Sequence, residues 1–437
     1  TVKCIEDEIP FEVPEGWAWA RFLAITINRD SERKPISASQ RTDVEKIYDY
    51  YGASGKIDKI DKYIFDEKLL LIGEDGANLV TRSKPIAFFA EGKYWVNNHA
   101  HCIDSPDKSI LQFICFFINA INLEKYVTGS AQPKMTQDNM NSILVALPPY
   151  KEQQLISQQL DIIWASIDKI EFEKENVLKL VDNAKSKILD LAIRGKLVSQ
   201  DSNNEPASVL LERIRAEKEE LIKQGKIKRD KKESVIFKGD DNSYYEKLPD
   251  EKINCIDKQL PFELPDGWKW CNLSMIGTTN IGLTYRPADI DTQGIIVLRS
   301  CNIVNDRINR TDLVRVKTSI RENQFVQKDD ILICARNGSR SLVGKCALIP
   351  ELAEKVSFGA FMAVYRTPYF SYIVHFLRSN FFRSVFDDSN STAINQLTQD
   401  MLKRAVVPLP PLAEQLRIVD KITELFERLN CIEESLN

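Results

Sequence analysis

The residues with the most evident chemistry are arginines. Between Arg286 and Lys345 basic side chains outnumber acidic ones, and Arg286, Arg299, Arg307, Arg310, Arg315, Arg321, Arg336 and Arg340 supply most of them. A guanidinium presents paired N–H donors that match phosphate oxygens and the edge of guanine. The run is therefore a candidate nucleic-acid face. The whole chain has a formal net charge of −4, which argues against a uniformly basic coat and for a local patch.

Other motifs have the letters of catalysis without its spacing. LPPY (Leu147 to Tyr150) has the outline of the Asp/Asn/Ser-Pro-Pro-Tyr/Phe motif of amino-methyltransferases, but Leu147 cannot accept a hydrogen bond from a target amine. Its later copy, LPPL (Leu409 to Leu412), lacks the aromatic as well, and no glycine-rich cofactor loop follows a strand. Gly338 to Cys346 (GSRSLVGKC) approaches a phosphate loop, with one residue too many between its glycines and Cys where Ser or Thr would hold magnesium. His99, His101 and Cys102 form HAHC, whose alternate spacing puts both histidines on one strand face. With no second ligand pair in sight, a packed or hydrogen-bonded pair fits better than a metal centre. Pro249 to Lys252 (PDEK) lacks the separation of a nuclease PD…ExK motif. The chain is thus expected to hold no catalytic residue and no metal.

The 437 residues, 43% apolar and 28% charged, suffice for two or three domains with cores of their own. The richest apolar run, Ile110 to Ile121, is too short for a membrane span and reads as core. The opening residues show no basic and apolar pattern of a secretory signal, and nine cysteines without a CxxC pair suit reduced, mostly buried thiols. A cytoplasmic location with no membrane contact is the expectation.

The positioning elements come in duplicate. IPFEVPEGWAW (Ile9 to Trp19) returns as LPFELPDGWKW (Leu260 to Trp270), 251 residues later. DEKLLLIGEDG (Asp66 to Gly76) aligns with KDDILICARNG (Lys328 to Gly338) at an offset of 262, and the same 262 relates Gly129–Gln153 to Ser391–Gln415, sharing Thr136-Gln137-Asp138 with Thr398-Gln399-Asp400. A net insertion of 11 residues thus lies between Ile276 and Lys328. So long a period marks a duplicated domain rather than a solenoid. The copies agree at their edges and differ in their middles, Tyr50–Phe65 against Asn280–Ser300. Either the middles read different things, or they are surface loops that drifted after duplication.

After LPPY, apolar residues fall at Ile156, Leu160, Ile163, Ile167, Ile170, Val177, Val181, Ala184, Ile188 and Leu191, broken only at Lys174. Steps of four and three give the 3.5-residue period of coiled coils. A helix from Lys151 to Arg194 would be about 65 Å long. The stripe restarts at Ile418, Ile422, Leu425, Leu429, Ile432 and Leu436 in the same register. The two helices are expected to pair antiparallel and hold the domains at a fixed distance, the alternative being that each packs on its own domain. Between them lie a short amphipathic helix (Glu205 to Gly225) and a basic run (Lys226 to Lys232) that reads as a solvated linker.

PFEVPEGWAW, YYGASGKIDK, EDGANL, LPPYKEQ, RGKLVSQDSNNEPASVLLERIRAEKEELIKQGKIKRDKKES, PFELPDGWKW and LPPLAEQLRIVDKI together resemble the specificity subunits of type I restriction-modification systems, over nearly the whole chain. The resemblance implies an α+β fold of two tandem repeats, each a mixed α/β target-recognition domain followed by a long coiled-coil helix. Its expected layout is a first recognition domain at 1–149, a long helix at 150–200, a connector at 201–258, a second recognition domain at 259–408 and a second, truncated helix at 409–437. It implies sequence-specific reading of a bipartite double-stranded DNA target, and partnership with methyltransferase subunits, expected to be two, and with restriction subunits. S-adenosylmethionine, magnesium and ATP would belong to those partners, with no cofactor on this chain. One departure is that TVKCIEDEIPFEVPEG aligns with KINCIDKQLPFELPDG inside the second connector. The chain thus begins partway through a repeat, and the expectation is a truncated chain whose distal coiled coil is unpaired or completed by another chain. A coiled-coil adaptor that reads no DNA is the other reading.

Side chains that read base edges or hold phosphates give the candidate contacts. In the first copy these are Tyr51, Ser54, Lys56, Asn78, Arg82 and Lys134. In the second they are Thr284, Tyr285, Arg286, Arg299, Asn302, Arg336, Asn337, Ser339, Arg340 and Gln396. Arg299 has the alternative of an internal ion pair, and Gly76 and Gly338 of simple turn formers.

Overall fold

A computed structural model describes residues 4–42, 44–129, 131–227, 229, 234–248, 250–387 and 396–436. Most of the basic linker, Pro249 of PDEK and residues 388–395 lie outside the described residues. The chain divides into two compact units, Thr1–Phe172 and Glu173–Asn437.

In the first unit, strand Ala18–Arg21 pairs antiparallel with Leu144–Leu147, closing the domain's start onto its end. A four-stranded antiparallel sheet runs in the order Ile27–Asn28, Ala100–Asp104, Leu69–Gly73, Ala87–Ala90. A second sheet has the order Gly55–Ile60, Tyr48–Gly52, Lys93–Val96, Phe65–Asp66, its two central strands parallel. The strand Leu69–Gly73 is apolar throughout because both its faces are covered. Leu70 and Ile72 share a core with Phe113, Ile114 and Ile118 of helix Ser109–Ala120, whereas Leu69 and Leu71 meet Tyr94 and Val96 of the second sheet. Alternation along a strand sends successive side chains to opposite faces. The apolar run Ile110–Ile121 is accordingly a core helix.

The second unit repeats this architecture. Lys269–Asn272 pairs with Val406–Leu409. A sheet follows in the order Thr278–Ile281, Met362–Arg366, Ile331–Cys334, Cys346–Leu348, and a further sheet in the order Val314–Val316, Ile290–Leu298, Val356–Phe358, with the last two again parallel. Shared motifs do the same work in both copies. Gly16 (φ +87°) and Gly267 (φ +80°) take left-handed backbone that favours glycine, and a Cβ there would lie 3.6 Å from Pro149 and 3.5 Å from Pro411. Gln153 and Gln415 each donate their side-chain amide to the carbonyl of the first proline of the Pro-Pro pair, Pro148 and Pro410. Thr136 and Thr398 accept the N–H of Asn139 and Met401, so the repeated Thr-Gln-Asp is a helix cap.

Two differences from the sequence alignment stand out. Leu70 pairs with Ile103 and Ile331 with Tyr365, so the central strands correspond at an offset of 261, not 262. A one-residue slip would turn every side chain to the wrong face. The extra residue is absorbed just beyond the strand, where the N–H groups of Ala335 and Arg336 both donate to the carbonyl of Phe361. The net insertion falls inside the expected interval. Ala53 and Ser54 turn the first copy's hairpin, and in the second copy that turn becomes an excursion from Arg299 to Leu313 containing the hairpin Ile303–Val304 with Arg307–Ile308.

Helix Tyr150–Ile193 is continuous over 44 residues. In its first turns Ile156 packs on the first unit's core. Ile163, Ile167 and Ile170 are 51%, 37% and 66% exposed. Within the second unit, Leu189, Ala192 and Ile193 share a core with Ile418 and Ile422 of helix Leu412–Leu436, and Lys185 pairs with Glu433 at 2.7 Å. Helix Ala207–Lys223 joins that core through Ala207 and Leu210. No described helix is long and apolar enough to cross a membrane.

Candidate nucleic-acid interface

In the second unit several loops converge where the strands Thr278–Ile281, Met362–Arg366 and Ile331–Cys334 run out. Gly282 and Leu283 bond to the carbonyls of Met362 and Phe358, Ala335 and Arg336 to that of Phe361, and Leu397 to that of Ala335. These main-chain bonds set Arg336 beside Gln396 and Leu283 beside Gly359; Thr284, which follows, is exposed, and Tyr285 packs on Leu283, Val297 and Val316. The Arg336 guanidinium lies over the ring of Phe361 at 5.5 Å and has no acidic partner among the described residues. Asn337 donates to Ser300 at 3.3 Å and accepts the N–H of Ser339, whose hydroxyl meets Ser341 at 2.8 Å. Arg340 is exposed on the same loop. Arg286 is exposed and pairs with Asp289 at 3.1 Å.

The first unit builds the corresponding rim from other residues. At the positions of Arg336, Phe361 and Gln396 stand Asp75, His99 and Lys134, and His99 meets Asp75 at 2.8 Å. Behind this lip sits an ion network. His101, 1% exposed, faces Asp30 Oδ2 at 2.6 Å through Nδ1 and the Met135 carbonyl at 2.9 Å through Nε2. Arg33 donates to Glu74 at 2.7 Å and to the Ala100 carbonyl, and Lys134 reaches Glu74 at 3.1 Å. Burial pushes the Asp30 carboxyl up, but the hydrogen bond and charge of His101, with Cys102 N–H and Arg33, hold it below the usual carboxylate range. Glu74 is lowered against its burial by Arg33 and Lys134.

Asp30, Glu74 and His101 lie close enough together to suggest a cation site. The donor set does not fit one. Arg33 reaches Asp30 at 3.2 Å and Glu74 at 2.7 Å, and Lys134 reaches Glu74 at 3.1 Å, so side-chain cations already occupy the two carboxylates. The two histidines are also not one pair on one face. His99 lies in the turn before strand Ala100–Asp104, half exposed, and each has its own aspartate.

The remaining candidates divide between rim and framework. Ser54 is at the hairpin tip, whose Ala53 carbonyl would be 2.7 Å from a Cβ at Gly73, next to the first unit's rim. Lys56 is exposed and pairs with Asp49 at 2.6 Å. Tyr51 packs its ring against Phe88 and Tyr94. Asn78 braces its own turn through Lys84 and Ser83. Arg82, at φ 51°, donates to the carbonyls of Ile118, Asn119 and Ile121 and so ties down the C-terminal end of helix Ser109–Ala120. Asn302 is 1% exposed and holds the excursion together through Arg299 N–H and the carbonyls of Asn309 and Asp312. Arg299 pairs with Asp312 at 2.9 Å, the internal ion pair that its alternative reading named. Phe361, Asp75, His99 and Arg33 were not among the expected residues. For Asp75 the available signal was an unlike residue within the aligned DEKLLLIGEDG and KDDILICARNG; Phe361 and His99 lie in stretches without identity between the copies.

Residues 26–180 and 265–437 match the family described as the type I restriction modification DNA specificity domain, once per repeat. The chain is 26% identical to the Escherichia coli type I restriction enzyme EcoAI specificity subunit, over 97% of this chain and 80% of that one. To the Escherichia coli EcoEI specificity subunit it is 27% identical, over 98% and 80%. Among solved structures, a chain from a study of complex assembly and conformational transition of the type I R-M system superposes with a TM-score of 0.56 at 15% identity, covering 98% of this chain and 94% of that one. That likeness concerns the fold. Duplicated scaffold, matched topology and a family match in each repeat agree, and the chain belongs to the specificity subunit family of type I restriction-modification systems.

Proposed function

We propose that this chain is the DNA-reading subunit of a type I restriction-modification complex, with each repeat reading one half of a bipartite target. The observation that carries the reading is the contrast between the two rims. On one shared scaffold, the same position presents Asp75, His99 and Lys134 in the first repeat and Arg336, Phe361 and Gln396 in the second. Two chemically unlike rims select two unlike half-sites. The base-reading set comprises Ser54, Lys56 and Lys134 in the first repeat and Thr284, Tyr285, Arg286, Arg336, Asn337, Ser339, Arg340 and Gln396 in the second.

The helices Tyr150–Ile193 and Leu412–Leu436 form an antiparallel coiled-coil spacer that sets the gap between half-sites. Lys185 against Glu433, and Leu189 to Ile193 in one core with Ile418 and Ile422, support that pairing. Methyltransferase subunits dock on the apolar residues left open along the first helix, among them Leu155, Ile162 and Ile170. Two such subunits complete the complex with restriction subunits in the cytoplasm. Catalysis, S-adenosylmethionine, magnesium and ATP lie with those partners.

The test is Arg336→Ala in the chain reconstituted with its methyltransferase subunits. Loss of a bidentate base contact costs about 1–3 kcal/mol and relaxes specificity at one position. The altered position is expected in one half-site only; equal weakening at both halves contradicts the two-reader account.

A further inference from the structure

Among the described residues, no side chain of the second repeat fills the space that the ion network fills in the first. Ile281 pairs with Ala363 across the strands where Asp30 and His101 meet in the first copy, and Ala335 stands where Glu74 does. With the imidazole, the guanidinium and the carboxylates gone, a cavity of ≈ 280 Å³ remains, floored by Ile281, Met362 and Ala363. Its mouth carries Phe361, Arg336 and Gln396. Phe361 is 61% exposed and Ile281 50% exposed, an apolar pair left facing water beside two side chains suited to base edges.

We propose that this cavity is a thymine-methyl pocket, so that the half-site read by the second repeat contains a thymine recognised through its C5 methyl group. The proposal rests on the DNA-reading function above. The edges of base pairs in the major groove offer donors, acceptors and a single apolar group, the thymine methyl. An apolar floor within a polar lip matches that combination. Phe361 and Ile281 take the methyl, and Arg336 and Gln396 bond to neighbouring base edges. In the first repeat His101 and Asp30 occupy the corresponding space behind Asp75 and His99. The contrast therefore predicts methyl reading on one side of the bipartite target only.

The experiment uses the full chain with its methyltransferase subunits and duplexes in which each thymine of the target is replaced singly by deoxyuridine, removing only the methyl. In the half-site assigned by Arg336→Ala, one replacement is expected to weaken binding about fourfold, the value of one buried methyl-sized group. The Phe361→Ala complex should bind thymine and deoxyuridine alike there, while Phe361→Leu, which keeps an apolar cap, should retain the preference. Phe361 is largely exposed, so neither change removes core. The pocket is overturned if that half-site contains no thymine, if no replacement in it matters, or if Phe361→Ala leaves the preference intact. A complex that binds no DNA sequence preferentially would overturn the DNA-reading function too; specific binding with silent replacements would overturn the pocket alone.

Discussion

His101→Ala removes the imidazole from a buried network and leaves the Asp30 carboxylate, with 9% of its side chain exposed, holding Arg33 at 3.2 Å and the N–H of Cys102 at 2.8 Å. Breaking one partner out of a buried ion pair costs about 3–5 kcal/mol. Arg33 still compensates Asp30, so the expected loss is at the lower end, about 3 kcal/mol. Asp30→Ile alone leaves His101 Nδ1 without its aspartate, with Glu74 at 3.8 Å, and costs a similar amount. The double change installs the Ile and Ala that face each other as Ile281 and Ala363 in the second repeat. It strands no charge, so its cost is expected to be below the sum of the singles by about 2–3 kcal/mol. Amide hydrogen exchange of strand Ala100–Asp104 reads this locally, with strand Met362–Arg366 as the unaffected reference. Additive losses would refute the claim that Asp30 and His101 act as a coupled pair. The low-lying Asp30 and Glu74 carboxyls give the sign of the pH effect. Their folded affinity for protons is below the unfolded one, so they stabilise the domain above about pH 4 and lose that contribution as pH falls through the carboxylate range.

His375, set edge-on to Phe426, behaves differently. Burial, with Arg378 nearby, pulls it down to about 3. The unfolded chain therefore binds its proton first, and the second unit should lose about 2 kcal/mol between pH 6.5 and 5, a loss that His375→Phe abolishes in pH-dependent urea unfolding. Arg82→Ala should destabilise the first domain by about 2 kcal/mol, because it frees the helix-end carbonyls, while leaving the methylated target unchanged; a changed target would place Arg82 on DNA after all.

The scaffold was legible because its motifs are repeated. Threonine before Gln-Asp is a short-range cap that any copy must repeat, and glycine in PEGW and the prolines of LPP, which meet across the domain, recur as fixed strings in both copies. The apolar run Ile110–Ile121 was legible as core, although not as the helix Ser109–Ala120. What was hidden depends on partners distant in the chain. His101 meets Asp30 across 71 residues, and Arg82 meets its carbonyls across 36 to 39. Asn302 has the composition of a base reader, yet it satisfies buried carbonyls of its own loop. The strand register was hidden for another reason: two glycines aligned at the turns, and the residue added beside Arg336 left no mark in the letters.

The central claim is that the two repeats read separate halves of one target. Replacing residues 265–408 by the corresponding segment of another member of the family, and mapping methylated sites made by the reconstituted complex, tests it most directly. The account predicts a bipartite motif in which one half changes to that of the donor while the other half and the spacing persist. A target that changes in both halves, or in neither, would contradict it.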